Sequence, residues 1–151
     1  MHRSLLFGIF AVSATLVSPF DTYQRQPLDV EHYRFALTLA DSTDRIVGEA
    51  TIRMRLLAPG LTRVVLDLAD ASPARQGRGM RVSTVTRGGK PLTFTHAADL
   101  LTITLGAPAA AGDVVEFVVR YTGIPADGLQ IKPNKYGDRT FFSDDWPNKA
   151  R

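Results

Sequence analysis

A period of two runs through most of this chain, and it excludes most folds at once. In residues 30–39, Tyr33, Phe35, Leu37 and Leu39 alternate with Arg34, Ala36 and Thr38. In residues 46–57, Ile46, Gly48, Ala50, Ile52, Met54 and Leu56 alternate with Glu49, Thr51, Arg53 and Arg55. A strand sends successive side chains to opposite faces, whereas a helix would smear this pattern around its circumference. The turn cluster Asp41-Ser-Thr-Asp44 lies between the two runs, so they read as a long antiparallel hairpin with one wet face. Shorter strand patterns follow at residues 64–68, 80–87, 90–95, 100–105 and 114–121. Gly88-Gly89 sits between the fourth and fifth runs as a two-residue hairpin signal, since glycine accepts positive φ. About seven strands with regular turns give an all-β class, an antiparallel twisted sheet or β-sandwich. The alternation predicts a core of Tyr33, Phe35, Leu37, Ile52, Met54, Leu66, Ile103, Phe117 and Val119.

Residues 1–20 depart from this pattern. His2 and Arg3 precede an uncharged, mostly apolar run over residues 5–17, with small residues around Ala14 and Ser18. That arrangement predicts a secretory signal-like hydrophobic helix, and hence a secreted or periplasmic protein, with an uncleaved membrane anchor as the other reading. The run is short for a transmembrane span. The remainder, residues 21–151, has the length of one domain.

Composition removes several chemistries. The chain has no cysteine, which excludes disulfides, thiolate catalysis and cysteine-held metals. Its 18 basic and 15 acidic residues leave a net charge of only +3. Arg75, Arg78, Arg81, Arg87 and Lys90 are concentrated but lack interleaved aromatics, so they read as a solvated loop and edge face, with no nucleic-acid partner expected. There is no H-E-x-x-H, no G-x-S-x-G and no phosphate-binding loop, so no catalytic or metal-ligating residue is expected. His32 lies within the first strand and reads as structural, and His96 at a strand end is expected to be exposed.

After Thr122 the pattern changes. Gly123, Pro125, Gly128, Pro133 and Gly137 punctuate what reads as a long irregular segment, the kind that tends to carry function. It ends in Thr140-Phe-Phe-Ser-Asp-Asp-Trp-Pro-Asn-Lys-Ala-Arg151, which includes the chain's one Trp. Asp144 has two readings here: a cap or turn former ahead of Pro147, or a carboxylate facing a ligand.

The order of these elements resembles the N-terminal β-domain of the aminopeptidase N family of zinc metallopeptidases. Asp29-Val-Glu-His-Tyr-Arg-Phe-Ala-Leu-Thr-Leu39 is similar to its opening strand, and Ile46-Val-Gly-Glu-Ala-Thr-Ile-Arg-Met54 to its second. Leu66-Asp-Leu68, Leu100-Leu-Thr-Ile-Thr-Leu105 and Val118-Val-Arg-Tyr-Thr-Gly123 follow in the family's order, and the Asp-Trp-Pro-Asn-x-Ala-Arg ending is its most specific part. The resemblance implies a saddle-like domain, incomplete at its C-terminal end, truncated before the catalytic domain. That domain would be its partner and would hold the zinc and bind peptide substrate. In the family's better-known members a Gln, and two residues on a Glu or Gln, contact the substrate's N-terminal residue. Aligned on Ala150-Arg151, those positions are Asp144 and Trp146, so the residue types differ, although an acidic Asp144 suits an α-ammonium group. The alternative is a stand-alone β-sandwich binding or assembly module without enzymatic activity.

Overall fold

A computed structural model describes residues 27–143 of the chain. Ten strands and one 3-10 turn make up the described part, in the order β1 (Leu28–Ala40), β2 (Thr43–Leu56), β3 (Arg63–Asp67), the turn at Pro73–Arg75, β4 (Gly79–Arg87), β5 (Lys90–Pro91), β6 (Phe94–Ala97), β7 (Leu100–Thr104), β8 (Val114–Ile124), β9 (Leu129–Pro133) and β10 (Arg139–Ser143). They form a five-stranded sheet in the order β1-β2-β8-β4-β5, a three-stranded sheet β3-β7-β6 and a two-stranded hairpin β10-β9. Every strand pairing is antiparallel. The all-β antiparallel expectation therefore holds. The signal-like helix expected over residues 1–20 lies outside the described residues.

The core follows from the alternation. One face of β2 and β8 supplies Ile52, Met54, Leu56, Val115, Phe117 and Val119, and the small sheet answers with Val64, Leu101 and Ile103. Directly opposed pairs such as Ile52–Phe117 and Met54–Val115 stack the two central strands on that face. The opposite face carries cross-strand ion pairs. Glu31 accepts from Arg53 Nε at 3.0 Å and from Arg55 Nη2 at 2.6 Å, and Glu49 accepts from Arg120 Nε at 2.8 Å. These pairs are exposed and contribute little each, but they mark the face that meets water.

Four expectations need correction. Phe35 and Leu37 are not core, being 54% and 44% exposed, and Tyr33 and Leu66 are only half-buried. Phe35 and Leu37 do point to the core side, opposite Ala50 and Gly48, but they lie on an edge strand beyond the cover of the small sheet. The expected strand over residues 90–95 is split between the sheets. The Gly88-Gly89 turn forms, with Arg87 paired to Lys90, but the ladder ends at the Thr86–Pro91 pair. One further bond follows, from the Leu92 N–H to the Val85 carbonyl at 2.9 Å, before the chain crosses over to become β6.

His96 is half-buried rather than exposed, with Nε2 2.8 Å from the Leu68 carbonyl oxygen. The tail expected to be irregular contains the β9–β10 hairpin. Asn134 closes it as an Asx turn, its Oδ1 accepting from the backbone N–H of Tyr136 at 2.8 Å and of Asp138 at 3.0 Å.

Two glycines permit close packing. A Cβ on Gly123 would lie 2.1 Å from the Gly79 carbonyl oxygen, where β4 and β8 pair. A Cβ on Gly48 would lie 2.3 Å from Tyr121 Cζ. The first clash is with backbone, the second with a ring that can swing aside. Gly123→Ala is therefore expected to cost about 3 kcal/mol and Gly48→Ala about 1 kcal/mol, both within the usual range for overpacking. Urea denaturation of both variants checks this, and equal losses would show Tyr121 to be as fixed as the backbone.

Candidate functional site

The long strands outrun the sheet that covers them. β1 and β2 have 13 and 14 residues, against five each in β3 and β7. At about 3.3 Å per residue, some 45 Å of β2 faces only about 17 Å of cover. Past the cover the inward side chains of β2 are Ala50, Gly48 and Ile46, flanked by Phe35 and Leu37 on β1 and by Tyr121 on β8. The result is an open, mainly apolar groove of about 930 Å³.

Aromatic geometry shapes it. Tyr33 and Phe35 stack with ring centroids 5.7 Å apart and planes 8° from parallel. The Tyr121 ring occupies the space beside Gly48 that a side chain at that position would need. Burial pushes the Tyr121 phenol up from its ordinary pKa. Burial does the same for Tyr33, with the nearby Asp67 carboxylate adding to it. Both hydroxyls therefore stay protonated through the neutral range.

A polar network closes one side. Arg75 donates from Nη1 to Asp99 Oδ2 at 2.9 Å, and from Nη2 to Asp70 Oδ1 at 2.9 Å and to the Asp70 carbonyl at 3.0 Å. Its Nη2 also donates to Asp99 Oδ1. The Asp70 N–H donates to Asp99 Oδ1 at 2.9 Å, so Asp99 is gripped from two sides. The hydrogen bonds from Arg75 hold the Asp99 carboxyl at about 2, well below its usual 3.8. Asp99 sits in the β6–β7 turn, where Ala98 and Asp99 both take positive φ, 52° and 65°, so the network ties that turn to the segment after β3.

The last hairpin forms the far wall through Leu129 and Ser143. Arg139 anchors it by donating from Nε to the Asp41 carbonyl at 2.9 Å and from Nη1 to Asp44 Oδ1, at the β1–β2 turn. Asp144 and Trp146 lie outside the described residues, but Ser143, the residue immediately before them, lines the groove. Sequence reasoning missed the groove itself. Its one clear signal was Gly48 in the middle of an inward-facing strand, the usual mark of a close approach.

Chemically, the groove can take an apolar group and offers phenol hydroxyls and carboxylates at its edges. Among the described residues no group of three or more His, Asp or Glu is placed to hold a metal ion. Among the same residues no helix is long and apolar enough to cross a membrane.

No protein-family model and no curated protein matches the chain. Solved structures do. A point mutant of an M1 zinc metallopeptidase from Deinococcus radiodurans is 29% identical with a TM-score of 0.57, over 73% of this chain and 24% of its own. A two-domain M1 zinc metallopeptidase bound to L-tryptophan is 27% identical with a TM-score of 0.59, over 75% of this chain and 26% of its own. A mutant of the Deinococcus radiodurans enzyme bound to a Tyr-Ser-Ala substrate is 26% identical with a TM-score of 0.55, over 72% of this chain and 22% of its own. The likeness to zinc metallopeptidases read from the residues is thus present in the fold. The chain spans about a quarter of the length of these matches.

The depressed Asp99 makes a pH prediction. Its contribution is fully present above its unfolded value of 3.8 and is lost as pH falls towards about 2. The side chain is 47% exposed, so solvent screening reduces that contribution to roughly 1 kcal/mol. Asp99→Asn is expected to lower stability at neutral pH by about that amount and to flatten the decline between about pH 4 and 2, measured as urea midpoints across pH.

Proposed function

We propose that this chain is the non-catalytic N-terminal portion of a secreted or periplasmic zinc aminopeptidase. It supports a downstream catalytic domain and contributes a loop to the pocket for the substrate's N-terminus. The observation that carries this reading is the fold match itself, which takes in most of this chain and about a quarter of each zinc metallopeptidase. The described residues do not fit the metal of such enzymes, for they present no ligand group. Zinc would be held by residues beyond this chain, and no step of the chemistry is assigned to the residues present.

The loop is the stretch that continues from Ser143 and carries Asp144 and Trp146. Asp144 is the group suited to an α-ammonium, since a carboxylate accepts charge-assisted hydrogen bonds from it. An apolar groove open on one side supports a covering partner, because uncovered patches of this kind mark interaction surfaces. The same groove favours a second reading, a stand-alone binding module. Chelator-sensitive release of N-terminal residues by the complete protein would exclude that second reading.

In the complete protein, Asp144→Ala is expected to raise KM for peptides with a free N-terminus about tenfold, the worth of one charge-assisted contact. N-acetylated peptides should show no such change. Unaltered kinetics with a lowered melting temperature would assign Asp144 to capping instead.

A further inference from the structure

We propose that the free edge of β1 is the contact between two copies of this chain, paired antiparallel about a two-fold axis at Phe35 so that their large sheets become one. Backbone direction carries the first step. The Leu57 N–H donates to the Pro27 carbonyl on the β1 side of β2, and the Leu56 N–H donates to the Asp113 carbonyl on the other side. Backbone groups alternate along a strand, so Val47, Glu49, Thr51 and Arg53 turn theirs towards β1, to Thr38, Ala36, Arg34 and His32. Tyr33, Phe35 and Leu37 are left with N–H and C=O pointing off the sheet, which β1 ends among the described residues. Register shifts between Val30 and His32 and between Thr38 and Ala40 bracket a regular run, and Phe35 is its midpoint. Such an edge is a template for another strand, and edges are usually blunted by proline, lysine or an inward-pointing charge. Residues 32–38 contain none of these devices.

The occupant is a second copy because this run is complementary to itself. With the axis at Phe35, Phe35 meets its own counterpart and Tyr33 meets Leu37 of the second copy, each pair exchanging two hydrogen bonds. Residues two apart share a face, and an axis normal to the sheet keeps both groove sides together, so these side chains all gather on one side. Phe35 and Leu37, 54% and 44% exposed in the single chain, cover one another there. On the outer face His32 meets Thr38 and Arg34 meets the small Ala36, so no like charges are opposed. Ala36 lies beside Glu49 of β2, so Arg34 reaches over it towards the second copy's Glu49, two strands or about 10 Å away. An axis at Arg34 would instead set two guanidinium groups face to face, which is destabilising. This contact does not depend on the peptidase reading.

Sedimentation equilibrium of the full 151-residue chain and of its Phe35→Lys and Phe35→Glu variants tests the contact. Phe35 is exposed in the single chain, so both variants should keep the far-ultraviolet β signal. The expected result is a reversible monomer–dimer equilibrium for the native chain, weakened about a hundredfold in each variant because the new charge faces its own copy. An equimolar mixture of the two variants should recover the dimer, since opposite charges then meet across the axis. A native chain that stays monomeric, or that associates without limit, overturns the proposal. So does a dimer that neither substitution weakens, because the contact then lies elsewhere in the chain. Loss of the dimer in both variants without recovery on mixing also overturns it, because Phe35 is then not opposite itself. Aminopeptidase kinetics of the complete protein do not bear on these outcomes, so the two proposals fail separately.

Discussion

The unequal reach of two facing sheets governs this structure. The large sheet is built on strands of 13, 14 and 11 residues, and the small sheet on strands of five. Where the two overlap, Met54, Leu56, Val64, Ile103, Val115 and Phe117 are fully or almost fully buried. Where the large sheet continues alone, Ile46, Ala50 and Val119 on its central strands stay buried, but Phe35 and Leu37 on the edge strand β1 are left exposed. Burial of apolar area drives folding at roughly 25 cal/mol per Å², so an uncovered extension of this kind forgoes stabilisation unless another segment packs there. The groove follows from strand length, and its apolar character follows from a pattern that does not stop where its cover stops.

Close backbone approaches hold the uncovered end in shape. Asp70 bridges Met80 in parallel, and a Cβ on Gly79 would meet the Asp70 carbonyl oxygen at 2.0 Å. Gly123 presses on the Gly79 carbonyl in turn, so three backbone segments are layered without side chains between them. Arg75 crosses the same region and grips Asp70 and Asp99. This corner is held by hydrogen bonds and glycine contacts where the other end is held by apolar packing. It keeps Leu68, Met80 and Asp99 at the groove's edge without filling the groove.

Local alternation made the strands, the β1–β2 hairpin and the Gly88-Gly89 turn readable in the sequence, because period two is a property of neighbouring residues. It also assigned Phe35 and Leu37 to the correct face. It said nothing of how far the opposing sheet would extend, which is a property of the assembly, so face was mistaken for burial. The division of residues 90–95 between sheets was not readable either, because which sheet a strand joins is a property of the assembly. The β9–β10 hairpin was hidden because Gly128, Pro133 and Gly137 read as loop punctuation, although Leu129 and Ile131 alternate with Gln130 and Lys132. The two tail residues named from the family resemblance, Asp144 and Trp146, lie outside the described residues. The groove was not foreseen, since its walls come from β1, β8, the β6–β7 turn and the last hairpin, which are distant in sequence.

The polarity of the large sheet's two faces sets what the domain can be used for. On the outer face, Glu31, Glu49, Arg53, Arg55 and Arg120 pair across strands and keep that surface solvated. Charged side chains there also discourage association through a long sheet. On the inner face the apolar residues continue to the rim, where the last hairpin is pinned and hands the chain on at Ser143. A unit with one solvated face and one partly uncovered apolar face is oriented: whatever it joins must lie on the groove side. Ser143, the last described residue, lies on that same side. In the peptidase reading, this coincidence lets a β-domain with no metal ligands among its described residues position a loop at another domain's site.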